Sequence, residues 1–172
     1  MALMASTRRE AETQSFPLLV YILTPVLALG LQSFVPLHFP RFAALDLPLL
    51  VVIYFGTTLR TPIAATFGGA VIGLAQDALT HQPLGVFGIA KALIGYLAAS
   101  LGVRVDTENI LTRLMVTFVF VWLNDAVNWV LVRHLLVEPI AWGWLYELGR
   151  AVANTLIAVI LFALLDRVKR RE

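Results

Sequence analysis

Residues 68–102 read GGAVIGLAQDALTHQPLGVFGIAKALIGYLAASLG, and the reading of this stretch decides the fold. Two apolar segments flank a short polar turn, Thr80-His81-Gln82-Pro83. Each segment carries one ionisable residue, Asp77 in the first and Lys91 in the second. Gly69, Gly73 and Asp77 recur every four residues and so share one helix face, while Gly88, Lys91 and Gly95 share a face of the next. Gly69-x-x-x-Gly73 is a small-residue pattern that lets membrane helices approach closely. The spacing predicts a tightly packed helical hairpin with both charges on its packed side.

Composition says what surrounds the hairpin. The 172 residues are 59% hydrophobic and only 14% charged, with a mean hydropathy of +0.83. A soluble domain of this size cannot hide that much apolar surface, so lipid is the expected solvent. Cysteine is absent, which excludes disulfides and thiolate metal sites. The net charge is only +2, but Arg167, Lys169, Arg170 and Arg171 crowd the C-terminus. A basic cluster directly after an apolar span reads as a topology anchor on anionic headgroups, and no nucleic-acid partner is expected.

A spanning helix needs about 20 mostly apolar residues. Six stretches qualify on that yardstick, at about 16–36, 44–60, 62–79, 84–103, 110–133 and 144–166. They make up a single transmembrane domain over residues 16–167, with an N-terminal arm at 1–15 and a basic tail at 168–172. The first apolar run is too long for a signal-peptide core and lacks an A-x-A exit, so it reads as a retained span. Pro25 inside it is an expected kink. Asp46 and Pro48 open the second stretch as cap and early-turn proline. Asp106-Thr107-Glu108-Asn109 and Val137-Glu138-Pro139 break the pattern between later spans.

With six spans both termini share a side. That side holds Arg8, Arg9, Arg60, Arg104, Arg167, Lys169, Arg170 and Arg171, against Arg41 and Arg133 opposite. The positive-inside rule therefore puts both termini in the cytoplasm. Trp129, Trp142 and Trp144 cluster near one expected outer boundary, as an interfacial belt would.

Common enzyme motifs are missing: there is no G-x-x-x-x-G-K-[ST], G-x-S-x-G or H-E-x-x-H. His38, His81 and His134 fall in or beside expected outer loops without partners at metal-ligand spacing. No catalytic, cofactor-binding or metal-binding residue is assigned. The polar residues inside the spans are more informative, because a charge near the bilayer centre costs about 2.5–3.5 kcal/mol on insertion scales. These are Gln76, Asp77, Lys91, Asn124, Asp125, Asn128, Glu147, Arg150 and Asn154. Helical rise places the ionisable ones at similar depth in the outer half of the bundle, with balanced signs. Asn124 and Asn128 share a stripe of the fifth span, beside Asp125, and Arg150 and Asn154 share one of the sixth. The structural reading is an internal lock of ion pairs and amides. The functional readings are a docking surface, a solute pocket or a proton path, the last opposed by the balance of charge. Exchange of Asp77 and Lys91 tests whether those two residues pair.

The run Leu45-Asp46-Leu47-Pro48, then Leu59-Arg60-Thr61-Pro62, then Gly69 to Leu79, then Pro83-Leu84-Gly85, resembles the MreD family of bacterial rod shape-determining membrane proteins. Gly73, Asp77, Pro83 and Gly85 match that family's G-x-x-x-G-L-x-x-D segment, turn and P-L-G, and Gly95-Tyr96-Leu97 continues it. The resemblance implies an all-α, six-helix membrane bundle like the substrate-binding subunits of energy-coupling-factor transporters. It also implies a non-enzymatic component of the elongasome in the bacterial cytoplasmic membrane, without a cofactor. Its partners would be MreC and, through it, RodA, a class B penicillin-binding protein and the MreB filament, serving peptidoglycan synthesis and cell shape. The alternative is a vitamin-type solute-binding transporter subunit whose outer pocket uses Trp122, Asn128 and Trp129. The first span, with only Ala28-Leu29-Gly30, offers little of the small-residue stripe that such coupling needs.

Overall fold

A computed structural model describes residues 17–105, 109–137 and 141–168. The arm with Arg8 and Arg9, the break at Asp106-Thr107-Glu108, the turn at Glu138-Pro139 and the tail residues Lys169, Arg170 and Arg171 lie outside the described residues. Among the described residues the chain forms six α-helices and one short 3-10 turn. The helices are α1 (Leu18–His38), α2 (Leu47–Leu59), α3 (Pro62–Leu79), α4 (Val86–Gly102), α5 (Ile110–Leu135) and α6 (Trp144–Val168), with the 3-10 turn at Pro40–Ala44 ahead of α2. Each of the six apolar stretches marked in the sequence holds one helix.

Five segments are long and apolar enough to cross a membrane: α1, the 3-10 turn with α2, α3, α5 and α6. The chain is on these grounds a multi-pass membrane protein. α4 is apolar but has 17 residues, one turn short of a comfortable span. The second stretch differs from its expected form. Residues 44–60 do not make one helix, because Pro40 starts a separate 3-10 turn and Asp46 caps α2 only afterwards. α1 also runs two residues beyond its expected end, with Pro25 and Pro36 both inside it. Neighbouring helices and local adjustments make such prolines tolerable in membrane helices.

α2 is the axis of the bundle. Two-thirds (67%) of its membrane-length window is buried, against 11% for α1. Leu49 to Tyr54 are all at most 4% exposed. A helix apolar on every side is stable only if other helices surround it, and α1, α3, α4, α5 and α6 all pack on α2. Lipid is as apolar as leucine, so this packing rests on close van der Waals fit rather than on removal from water. Ile94 and Ala98 of α4, Phe120 and Val121 of α5, and Ala151, Ala158 and Phe162 of α6 complete the core.

The α3–α4 hairpin is the tightest contact in the molecule, and glycine makes it so. A Cβ at Gly69 would strike the Lys91 carbonyl, one at Gly73 the Phe87 carbonyl, and one at Gly95 the Ala65 carbonyl. The two backbones therefore touch along most of their length, which is what the glycine spacing predicted.

Candidate functional site: a polar network at the turn end

The α3–α4 turn marks one end of the bundle, where α1 and α5 also finish and α2 and α6 begin. Asp77, wholly buried, closes the hairpin there. Its carboxylate accepts N–H bonds from Gly85 (2.8 Å), Phe87 (3.0 Å) and Gly88 (3.3 Å). These are the cap and first-turn amides of α4, whose positive end favours an anion. Gly85 holds φ at +105°, a left-handed value that glycine adopts without penalty. Pro83 sits exposed in the turn, and its carbonyl accepts the Val86 N–H. Gly88 faces the Leu74 side chain rather than backbone. The spacing of Gly73, Asp77 and Gly85 thus has a mechanical reason: close approach, reach to the next helix, and the cap.

Lys91 does not pair with Asp77. Its ammonium lies 2.8 Å from Asp46 Oδ2, with the two side chains 0% and 4% exposed, and 4.5 Å above the Phe87 ring. Asp46 meanwhile caps α2, accepting the Leu49 N–H at 3.1 Å. Its own N–H donates to Asn154 Oδ1 at 2.7 Å. One aspartate therefore ties α2 to both α4 and α6. Asn154 donates in turn to the carbonyls of Ala44 and Arg150, at 3.0 and 2.9 Å. Arg150 donates to Ala44 O at 3.2 Å and stands 3.5 Å from both Asp125 and Glu147.

This end brings Asp46, Lys91, Asn154, Arg150, Asp125 and Glu147 into linked contact, and holds Asp77 apart on backbone donors. The signs are not balanced. Asp46 occupies Lys91, which leaves Arg150 as the one cation described beside Asp125 and Glu147. Asn124 Oδ1, Asp125 Oδ2, Asn128 Oδ1, Gln76 Oε1 and Trp142 Nε1 are buried without a hydrogen-bond partner among the described residues. Among the described residues, no group of three or more His, Cys, Asp or Glu converges as a metal cluster would.

Gln32 is a member that the sequence reading missed. It bridges both sides of the link into α2, donating to Leu45 O (2.8 Å) and accepting from Leu47 N (3.2 Å). Beside it opens a cleft of about 520 Å³ between α1, the α3–α4 turn and α6, lined by Gln32, Asp46, Gln76, His81, Phe87 and Arg150 among others. Trp122, Asn128 and Trp129, expected as pocket residues, do not line it. Trp122 and Trp129 instead join Trp142 and Trp144 in an aromatic cluster with ring centroids 5.7–6.4 Å apart.

The opposite end has its own tie. Tyr54 Oη donates to Asp166 Oδ1 at 2.8 Å, and Arg113 meets Asp166 Oδ2 at 2.6 Å while lying over the Tyr54 and Phe162 rings. α2, α5 and α6 are joined there as α2, α4 and α6 are joined at the turn end. Comparison of the chain with protein-family models, with curated proteins and with solved structures finds no match.

Proposed function

We propose that the chain is a non-enzymatic scaffold of the bacterial cell-elongation machinery, similar to MreD, that holds the transmembrane helix of MreC in the cytoplasmic membrane. Through MreC it would act on RodA, a class B penicillin-binding protein and MreB. In this reading α4 is a sixth span and both termini are cytoplasmic. At about 1.5 Å per residue, the 17 residues of α4 reach about 26 Å, enough to cross in a bundle that thins the bilayer slightly.

The observation that carries the reading is the division of labour between the buried charges and the lipid-facing flank. Asp46, Asp77 and Lys91 are engaged within the bundle by short bonds, which suits a lock and leaves no paired nucleophile and base. α1 meanwhile turns Leu19, Ile22, Leu23, Val26 and Leu27 outward. A groove of about 260 Å³ runs beside it, floored by Pro25, Gly56, Ala64, Ala65, Gly68 and Ile72. Small residues flanked by an exposed apolar helix are the surface that membrane helices pack on.

Co-expression with tagged MreC and detergent purification tests the proposal. MreC should retain the wild-type chain and lose the Gly68→Leu variant, whose new side chain enters open space in the groove. Failure of MreC to retain the wild-type chain at all would sink the scaffold reading.

The 520 Å³ cleft favours a second reading, a small-solute binding subunit, because its volume and mixed polar and apolar wall suit a vitamin-sized molecule. Native mass spectrometry of the purified chain decides it. A bound small molecule of defined mass supports this reading, and a ligand-free chain unshifted in Tm by saturating vitamins counts against it.

A further inference from the structure

The face of α5 that carries Asn124, Asp125 and Asn128 holds three acceptor oxygens that meet no donor among the described residues. Asn124 Oδ1, Asp125 Oδ2 and Asn128 Oδ1 are all buried with no hydrogen-bond partner among the described residues. Asn124 is 0% and Asp125 4% exposed. At 3.6 residues per turn, Asn128 projects about 40° from Asn124 and about 60° from Asp125, so the three fall on one arc within about 6 Å of rise. Asn124 Nδ2 lies 3.5 Å from Asp125 Oδ1, an orientation that leaves its oxygen as the free end.

Charge points the same way. From α6, Arg150 lies 3.5 Å from both Asp125 and Glu147, one cation against two carboxylates. Lys91 cannot make up the deficit, since it is held by Asp46 at 2.8 Å. Asn154, the nearby amide of α6, already spends its Nδ2 on Ala44 and Arg150 carbonyls and its oxygen on the Asp46 N–H. Among the described residues this part of the α5–α6 contact is thus left with three unpartnered oxygens and two carboxylates against the one cation of Arg150.

We propose that Asn124, Asp125 and Asn128 bind a sodium-sized monovalent cation between α5 and α6. Two amide oxygens and a carboxylate oxygen are hard donors, which suit alkali and alkaline-earth ions. Calcium takes about six to eight oxygen ligands and magnesium keeps several waters in its shell, whereas three protein oxygens with a single excess charge match a single monovalent ion. The ion neutralises the second carboxylate facing Arg150 and tightens the α5–α6 contact. The site is independent of any partner helix, so it stands or falls separately from the scaffold reading.

The test uses the purified full chain in detergent, with sodium chloride replaced by choline chloride at constant ionic strength. Sodium should raise Tm saturably, by about 3 °C or more at saturation, and radioactive sodium should bind in a proximity assay. Asp125→Asn should remove both responses while eluting as a single peak. Asn128→Ala, which leaves every charge in place, should weaken sodium binding about tenfold or more, and it carries the test if Asp125→Asn fails to fold. Equal Tm in both salts without saturable binding would overturn the proposal. So would binding that survives both substitutions, or a Tm that responds to pH and not to sodium, which would assign the excess charge to a proton.

Discussion

Replacing Lys91 by methionine keeps the volume and stem of the side chain but removes its charge, leaving Asp46 as a buried carboxylate without its ammonium. At 2.8 Å and an effective dielectric of about 20, the direct attraction amounts to about 6 kcal/mol. Desolvation of two ions, several kcal/mol each, offsets most of that, so the pair as a unit contributes little net stability. Removing one partner is different, because the other keeps its desolvation cost. Lys91→Met should therefore destabilise the chain by about 3–5 kcal/mol, a fall in Tm of roughly 6–20 °C for a chain of this size. Asp46→Asn with Lys91→Met removes both charges yet keeps an asparagine cap for α2, since asparagine accepts the Leu49 N–H as aspartate does. The double variant should recover most of the loss, leaving a coupling of about 2–4 kcal/mol. Thermal unfolding in detergent of the wild type, both single variants and the double variant measures it. Additive single effects, or a Lys91→Met cost below about 1 kcal/mol, would refute the buried pair.

The hairpin gives a sharper contrast among glycines. Gly73→Leu should prevent a folded chain from accumulating, because the new side chain strikes the Phe87 backbone, whereas Gly149→Leu meets open space and should fold normally; size-exclusion profiles separate the two. Asp77→Ala should cost about 2–4 kcal/mol by leaving three first-turn donors of α4 unmet, and amide exchange at Gly85, Phe87 and Gly88 should quicken selectively. At the opposite end, Tyr54→Phe removes one hydrogen bond to Asp166 and should lower stability by about 1 kcal/mol in the same unfolding assay.

Helix placement was legible because membrane spans announce themselves by length and apolarity, as α3, opening at Pro62, and α6, opening at Trp144, show. The hairpin contact was legible too, since only glycine at 69, 73 and 95 fits backbone against backbone. The pairing of charges was not. Asp46 stands 45 residues from Lys91, and its sequence context marks it only as a helix cap; it is that, and the lysine partner as well. A side-chain inventory puts both Asp77 and Lys91 on packed faces and leaves their pairing open, but the donors that Asp77 satisfies are backbone amides, which no list of residue types displays. Gln32 looked like one polar residue near the end of a peripheral helix, and its role depends on the carbonyl and amide that the 3-10 turn brings beside it. Tyr54, Arg113 and Asp166 come from three helices, with none at a spacing that marks the others.

The two polar ties explain how the described bundle of apolar helices holds one arrangement. Apolar side chains in lipid give little preference between alternative packings, whereas an unmet buried charge penalises every packing but the one that meets it. Asp46 exerts this preference on α2, α4 and α6 together. Rigid registry of that kind leaves the α1–α3 flank free to present a constant surface, as the proposed scaffold would need.

Photocrosslinking in rod-shaped bacteria that co-express MreC tests that central claim most directly. A photoreactive residue at Ala64 in the groove should trap MreC. One at Leu156, which is 63% exposed on α6, should not. Capture from Leu156 with none from Ala64, or from neither position while the chain remains in the membrane, would contradict the account.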